Sequence, residues 1–219
     1  MPGAVVEGSG DIATSAIPES GTYTYKQSGT QFAGEGVPDP GPRPDTGTLV
    51  VSAPEPAEGG TAQESVRSDD SGSRTEQHLL YKTDGVFFDE VLVRNESRAD
   101  VNQILCIAEP PLLSLPAKIG EGMHWQSHAD CGVGSATYTS SVEATETVTL
   151  GDGTAVDAVR IRQEVVLDGE DARGRSLITT WYDPKTGLVV KLADESNLQY
   201  SVYDLSRKTE DVLESLTPA

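Results

Sequence analysis

The side chains able to do chemistry are few and dispersed. Three histidines occur in 219 residues, and two of them share the run His124-Trp-Gln-Ser-His128, with Asp130 close behind. On a helix, imidazoles four residues apart could hold one metal ion, whereas on a strand they stand ~13 Å apart. Gly120 and Gly122 argue against a helix there, so the pair, like His78, is expected to bind no metal. Asp and Glu number 35, and pairs such as Asp168 with Asp171 or Asp152 with Asp157 arise from abundance alone. The runs Gly151-Asp-Gly and Asp168-Gly-Glu-Asp171 read as turns, since a calcium loop needs several oxygens at fixed spacing. No nucleophile elbow, phosphate-binding loop, dinucleotide fingerprint or zinc-protease motif is present, so neither an enzyme nor a cofactor is expected.

Cys106 and Cys131 are the only cysteines and lie 25 positions apart. Their spacing is not that of a redox or zinc motif, which leaves a structural disulfide in an oxidising compartment or two buried thiols. Trp125, Trp181, Tyr182, Tyr200 and Tyr203 offer flat apolar area with polar edges, suited either to a ligand surface or to cross-strand packing.

A net charge of -19 and a pI near 4.3 repel phosphate backbones and anionic headgroups, which reward basic clusters absent here. Nucleic acid is excluded as a partner. No stretch approaches the ~20 apolar residues of a membrane-spanning helix. The opening Met-Pro-Gly-Ala-Val-Val-Glu-Gly lacks the features of a signal peptide, and residues 1–20 read as a flexible linker following a removed signal or an upstream anchor. An extracytoplasmic location follows as the expectation.

The elements that must position any site are strands. Residues 22–26 put Tyr23 and Tyr25 on one face, and residues 47–52 form another short run; both belong to the sheet unless the N-terminal third is disordered. Residues 33–46 and 53–74 are poor in apolar side chains and dense in Gly, Pro, Ser and acid, and read as mobile loops. Three hairpins follow. Residues 77–82 and 86–94 flank Thr83-Asp-Gly85, residues 142–150 and 155–167 flank Gly151-Asp-Gly153, and residues 176–182 and 188–192 flank Asp183-Pro-Lys-Thr-Gly187. Val159, Ile161 and Val165 alternate with Arg160, Arg162 and Glu164, the pattern of a sheet with one wet side. Residues 199–205 add a strand, and residues 208–216 a short helix or a frayed edge.

The predicted architecture is mainly β: a single curved antiparallel sheet over residues 21–219 with few short helices. Its apolar face must be covered. The apolar segment 107–125 is the candidate cover, with Leu112, Leu113, Leu115, Ile119, Met123 and Trp125 either lining a cavity or filling it.

Three runs, Gly120-Glu-Gly-Met-His-Trp125, residues 142–161 with their glycine turn, and Trp181-Tyr-Asp-Pro-Lys-Thr-Gly-Leu-Val-Val-Lys191, resemble the LolA-like half-barrel envelope proteins across residues 76–196. That resemblance implies a secreted bacterial β-meander that binds lipid or lipoprotein in an apolar concavity. The leading expectation is therefore a non-catalytic envelope protein holding a hydrophobic ligand on the six residues above and Trp181. The alternative is a protein-interaction or structural module of a surface assembly that uses sheet edges or the Pro-rich loops.

Overall fold

The computed structural model describes residues 4–35, 41–96, 101–132, 134–200 and 203–219, and these form strands and connecting turns without a helix. The N-terminal strands are β1 (Val5–Glu7), β2 (Ile12–Ala13), β3 (Gly21–Glu35), β4 (Gly41–Pro42), β5 (Thr46–Val51) and β6 (Glu55–Ala57). They are followed by β7 (Gly60–Asp69), β8 (Ser73–Lys82), β9 (Gly85–Glu96), β10 (Val101–Pro116), β11 (Lys118–Ile119) and β12 (His124–Asp130). The last five are β13 (Ser135–Thr149), β14 (Ala155–Asp168), β15 (Ala172–Tyr182), β16 (Val189–Tyr200) and β17 (Tyr203–Leu213).

Twelve of them form one antiparallel ring in the order β12-β10-β9-β8-β7-β5-β3-β17-β16-β15-β14-β13. The ring closes because β12 pairs with β13 from His124↔Ser141 to Asp130↔Ser135. The expected half-barrel is thus corrected to a closed barrel. A twisted sheet of this width curls until its two edges meet, and closure satisfies backbone groups that an open sheet would leave unpaired.

The three expected hairpins form as β8–β9, β13–β14 and β15–β16, with Lys82↔Gly85 closing the first turn. Other expectations differ. Residues 199–205 are not one strand, since Tyr200↔Tyr203 closes a further hairpin, and the stretch expected as helix or frayed edge continues β17 to Leu213, bonded to both β16 and β3. Within the segment expected as a mobile loop, residues 60–69 build β7. Its side chains Gln63, Ser65 and Arg67 face the interior, and Gln63 and Arg67 find polar partners there, so the strand does not need apolar residues to be held. The segment 33–46 likewise carries the end of β3, all of β4 and the start of β5, while residues 36–40 lie outside the described part.

The outer surface is wet. Thr139, Arg162, Arg175, Glu195, Lys208 and Glu210 point outward and are exposed, where a membrane-spanning barrel would carry an apolar band. Among the described residues, no helix is long and apolar enough to cross a membrane.

One end of the barrel is covered by the chain's own N-terminal segment. Thr14 donates through N–H to Ala117 O and through Oγ1 to Pro116 O, Tyr182 Oη donates to Thr14 O, and Gln63 Nε2 donates to Pro18 O. Residues 12–18, expected as linker, are therefore tied to β7, β10 and β15 at once. Beside them Ile119, Met123, Trp125, Val142, Val159 and Ile161 form a packed cluster. The β13–β14 hairpin shifts register between Val142 and Ala144 and reaches past β15 and β16, where Gly151 N–H bonds Leu213 O and Asp152 N–H bonds Glu214 O. Its Val148, Leu150, Val156 and Ala158 pack with Tyr23, Tyr25 and Trp181 in a second cluster.

Candidate functional site

The ring has a weak seam between β10 and β12. Most neighbouring strands are joined by long ladders, but β10 and β12 share one described backbone pair, Ile107↔Asp130. The cause lies in the local sequence. Pro110 and Pro111 have no N–H to give a ladder, and the pairing of β10 with β9 breaks between Ile107 and Leu112 before resuming at Leu112↔Phe88. The Glu109–Pro110 peptide bond is cis. Below the shared pair, β1 takes the place of β10 against β12, from Val5↔Gln126 to Glu7↔His124. Side chains bridge the gap from within, since Ser127 Oγ donates to Leu113 O and Trp125 Nε1 to Ser114 O.

Cys106 and Cys131 are bonded across this seam, with an S–S distance of 2.10 Å. The disulfide expectation holds, and both residues are buried with Phe88, Ala129 and Leu167.

Next to the disulfide, an open cleft of about 850 Å³ runs along the seam. Its walls are Phe87, Leu105, Ile107, Pro110, Leu112 and Leu113, with Glu109 and Asp130 exposed at its rim. Leu105 and Ile107 are 38% and 51% exposed, unusual for aliphatic side chains of this size on an otherwise polar outer surface. Ala4, just before β1, completes the lining.

The interior holds a separate cavity of about 420 Å³. Phe88, Val91, Tyr138 and Val165 line one part of it, and Arg43, Arg67, Arg207, Asp194 and Asp211 another. Asp211 receives Arg43 at 2.6 Å and Arg67 at 3.0 Å, Arg43 also holds Asp69 at 3.1 Å, and Arg207 lies 3.2 Å from Asp194. The Arg67 guanidinium also stacks 4.2 Å from the centre of the Tyr25 ring. Burial pushes the Tyr138 phenol up to about 12 and raises Tyr81 and Tyr182 as well.

Of the seven side chains expected to bind a ligand, Ile119, Met123 and Trp125 share one packed cluster with Leu113 and Leu115 against it, whereas Leu112 packs beside the disulfide and Trp181 in the cluster with Tyr23 and Tyr25. Leu112 and Leu113 line the seam cleft, while Leu115 and Trp125 line the interior. Ile119 and Met123 are packed in the cluster beneath the N-terminal segment. Trp181 lies under the β13–β14 hairpin, with its Nε1 bonded to Glu146 and Lys191 over its ring. Within the segment 107–125, residues up to Pro116 and from His124 are part of the wall, while β11 lies outside the ring and pairs with β2 of the N-terminal segment at the covered end. The histidines are apart as well: His78 meets Asp89, His124 meets Glu7 and His128 meets Thr137.

The interior charges escaped the sequence reading. A signal for them exists in β17, where Leu205, Arg207, Thr209, Asp211 and Leu213 share one face. Charged residues between inward leucines point to a polar lumen once closure is known.

No family model matches the chain, and no curated protein matches it in sequence. A solved structure aligns instead. It is a Bacteroides fragilis protein with a YmcC-like fold, inferred to be exported, 12% identical, with 91% of this chain and 96% of that one covered and a TM-score of 0.44. Likeness this distant transfers no activity.

Proposed function

We propose that this barrel is a non-catalytic protein that works outside the cytoplasm and binds a lipid-like ligand in the seam cleft. The carrying observation is the cleft itself, an open apolar groove of about 850 Å³ on an otherwise charged barrel, within the size range of small-molecule sites. Its hydrocarbon walls suit an acyl chain. The acidic rim, Glu109 and Asp130, repels an anionic headgroup, so the ligand is a neutral or cationic amphiphile. The Cys106–Cys131 disulfide supports the oxidising compartment.

The test is binding of a long-chain monoacylglycerol to the full chain, compared with a long-chain fatty acid and with the variant Leu113→Trp, which fills the groove. Preferred binding of the neutral lipid, weakened about tenfold in the variant, is the expected result, that factor corresponding to about 1.4 kcal/mol. Equal binding to the variant would remove the cleft as the site.

A second reading follows from the seam's unfinished ladder. An extended peptide could add to the free edge beside residues 108–111 and place side chains in the same groove. Competition between a bound partner segment and the monoacylglycerol would mark this use.

A further inference from the structure

The buried polar atoms left without a hydrogen-bond partner gather in one place. Among the described residues they are Gln27 Oε1, Gln31 Oε1, Arg207 Nε and Thr209 Oγ1. All four belong to the adjacent strands β3 and β17, at three successive rungs of the same face: Gln27↔Asp211, Gly29↔Thr209 and Gln31↔Arg207. Arg207, Thr209 and Asp211 line the interior cavity, whereas Gln27 and Gln31 do not. Gln27 and Thr209 are 4% and 6% exposed.

Native interiors rarely strand buried polar groups, since each costs about 1–3 kcal/mol. Two of the four, Arg207 Nε and Thr209 Oγ1, belong to residues that line the cavity, where a bound group can complete the bonding. Gly29 sets no side chain opposite Thr209, so that hydroxyl has no neighbour across the pair. The chemistry of the missing partner can be read from what is unsatisfied. At the cavity wall the Arg207 guanidinium nitrogen needs an acceptor, and the Thr209 hydroxyl takes or gives. Charge is already balanced, because Arg43, Arg67 and Arg207 are matched by Asp69, Asp194 and Asp211 in bonded pairs.

We infer that the β3–β17 wall of the interior is a binding site for a small, uncharged polyhydroxyl compound, a single sugar ring being the fitting class. Sugar hydroxyls both donate and accept, and so complete mixed sets of this kind. They carry no charge that would disturb the three Arg–Asp pairs. The cavity of about 420 Å³ accepts one ring, and Val91, Tyr138 and Val165 in its lining can pack against the apolar face of that ring. The interior cavity and the seam groove share Cys131 in their linings, but Arg207, Thr209 and Asp211 belong to the interior alone, so this site is tested separately.

The test is ligand-observed saturation-transfer NMR on the full chain with glucose, galactose and N-acetylglucosamine, and with glucuronate and glucosamine as charged counterparts. Transfer to a neutral sugar, with the charged counterparts weaker and affinity lowered about tenfold in Thr209→Val, is the expected outcome. The near-isosteric Thr209→Val keeps the shape of the wall, and Leu113→Trp, outside the site, should leave sugar binding unchanged. No transfer to any neutral sugar, together with a higher melting temperature for Thr209→Val and Gln27→Leu, would overturn the inference. It would mean that these atoms are met by internal water or are simply a cost to stability.

Discussion

Cys106 and Cys131 are bonded directly beside Ile107 and Asp130, the one described backbone pair that joins β10 to β12. A covalent bond thus stands where neighbouring strands elsewhere share a ladder. Its loop of 25 residues spans the cleft-forming prolines and the whole of β11.

Replacing both cysteines by alanine is expected to lower stability by about 3 kcal/mol on the loop-entropy account. Chemical denaturation gives the magnitude, and amide exchange gives the place. Faster exchange confined to β10 and β12 agrees with a stapled seam, whereas acceleration spread evenly round the barrel would deny the disulfide that role.

Asp211 serves two guanidinium groups inside the barrel. Asp211→Ala leaves Arg43 and Arg67 short of a counter-charge in a buried setting and should cost about 3–5 kcal/mol. Arg67→Ala should cost less, because Arg43 still neutralises Asp211. Urea midpoints in the reverse order would show that the network is not organised around Asp211.

Alkaline pH should destabilise the fold through its buried phenols. Tyr138 has its pKa raised from 10.0 to about 12, so the folded state holds this proton more tightly than the unfolded chain. Its contribution is complete below about pH 10 and is lost as pH climbs toward 12. A tyrosinate absorbance titration should show Tyr23, Tyr25, Tyr81, Tyr138 and Tyr182 ionising late, the most buried of them only as the barrel unfolds. Full ionisation of all of them near pH 10 with the fold intact would contradict this.

Thr14 tests whether the N-terminal segment is structural. Its hydroxyl is buried and donates to Pro116 O at 2.6 Å. Thr14→Val preserves the volume and leaves that carbonyl without its donor, at an expected cost of about 1–2 kcal/mol. A change of a few tenths would mean that residues 12–18 rest on the barrel without holding it.

Much of the strand plan was legible because hairpins are local. The glycine in Thr83-Asp-Gly85 is a positive-φ residue at the turn, and Asp183 accepts from Lys185 N–H and Thr186 Oγ1, so each turn's chemistry is written within a few residues. The weak points were places where apolar content stood in for burial. β7 resembles a loop in sequence because Gln63, Ser65 and Arg67 are residue types of surfaces, and nothing local reveals that Pro18, Ser52 and Asp211 wait to bond two of them. The candidate site was hidden for a similar reason. Plain alternation would set Leu112 and Leu115, three residues apart, on opposite faces, but the register shift between Leu113 and Leu115 brings both to the face of Phe88 and Val86, which no local pattern announces.

The amino-acid sequence by itself determined an antiparallel β protein with tight hairpins, an acidic exterior and a cysteine pair, since turn chemistry, period-two alternation and charge are properties of short stretches. Tertiary structure alone decided that the sheet closes, that β10 and β12 meet at a single pair, and that the polar faces of β7 and β17 look inward. Those outcomes depend on partners such as Arg67 and Asp211, 144 residues apart, whose meeting is set by the curvature of the whole ring and not by any segment of it.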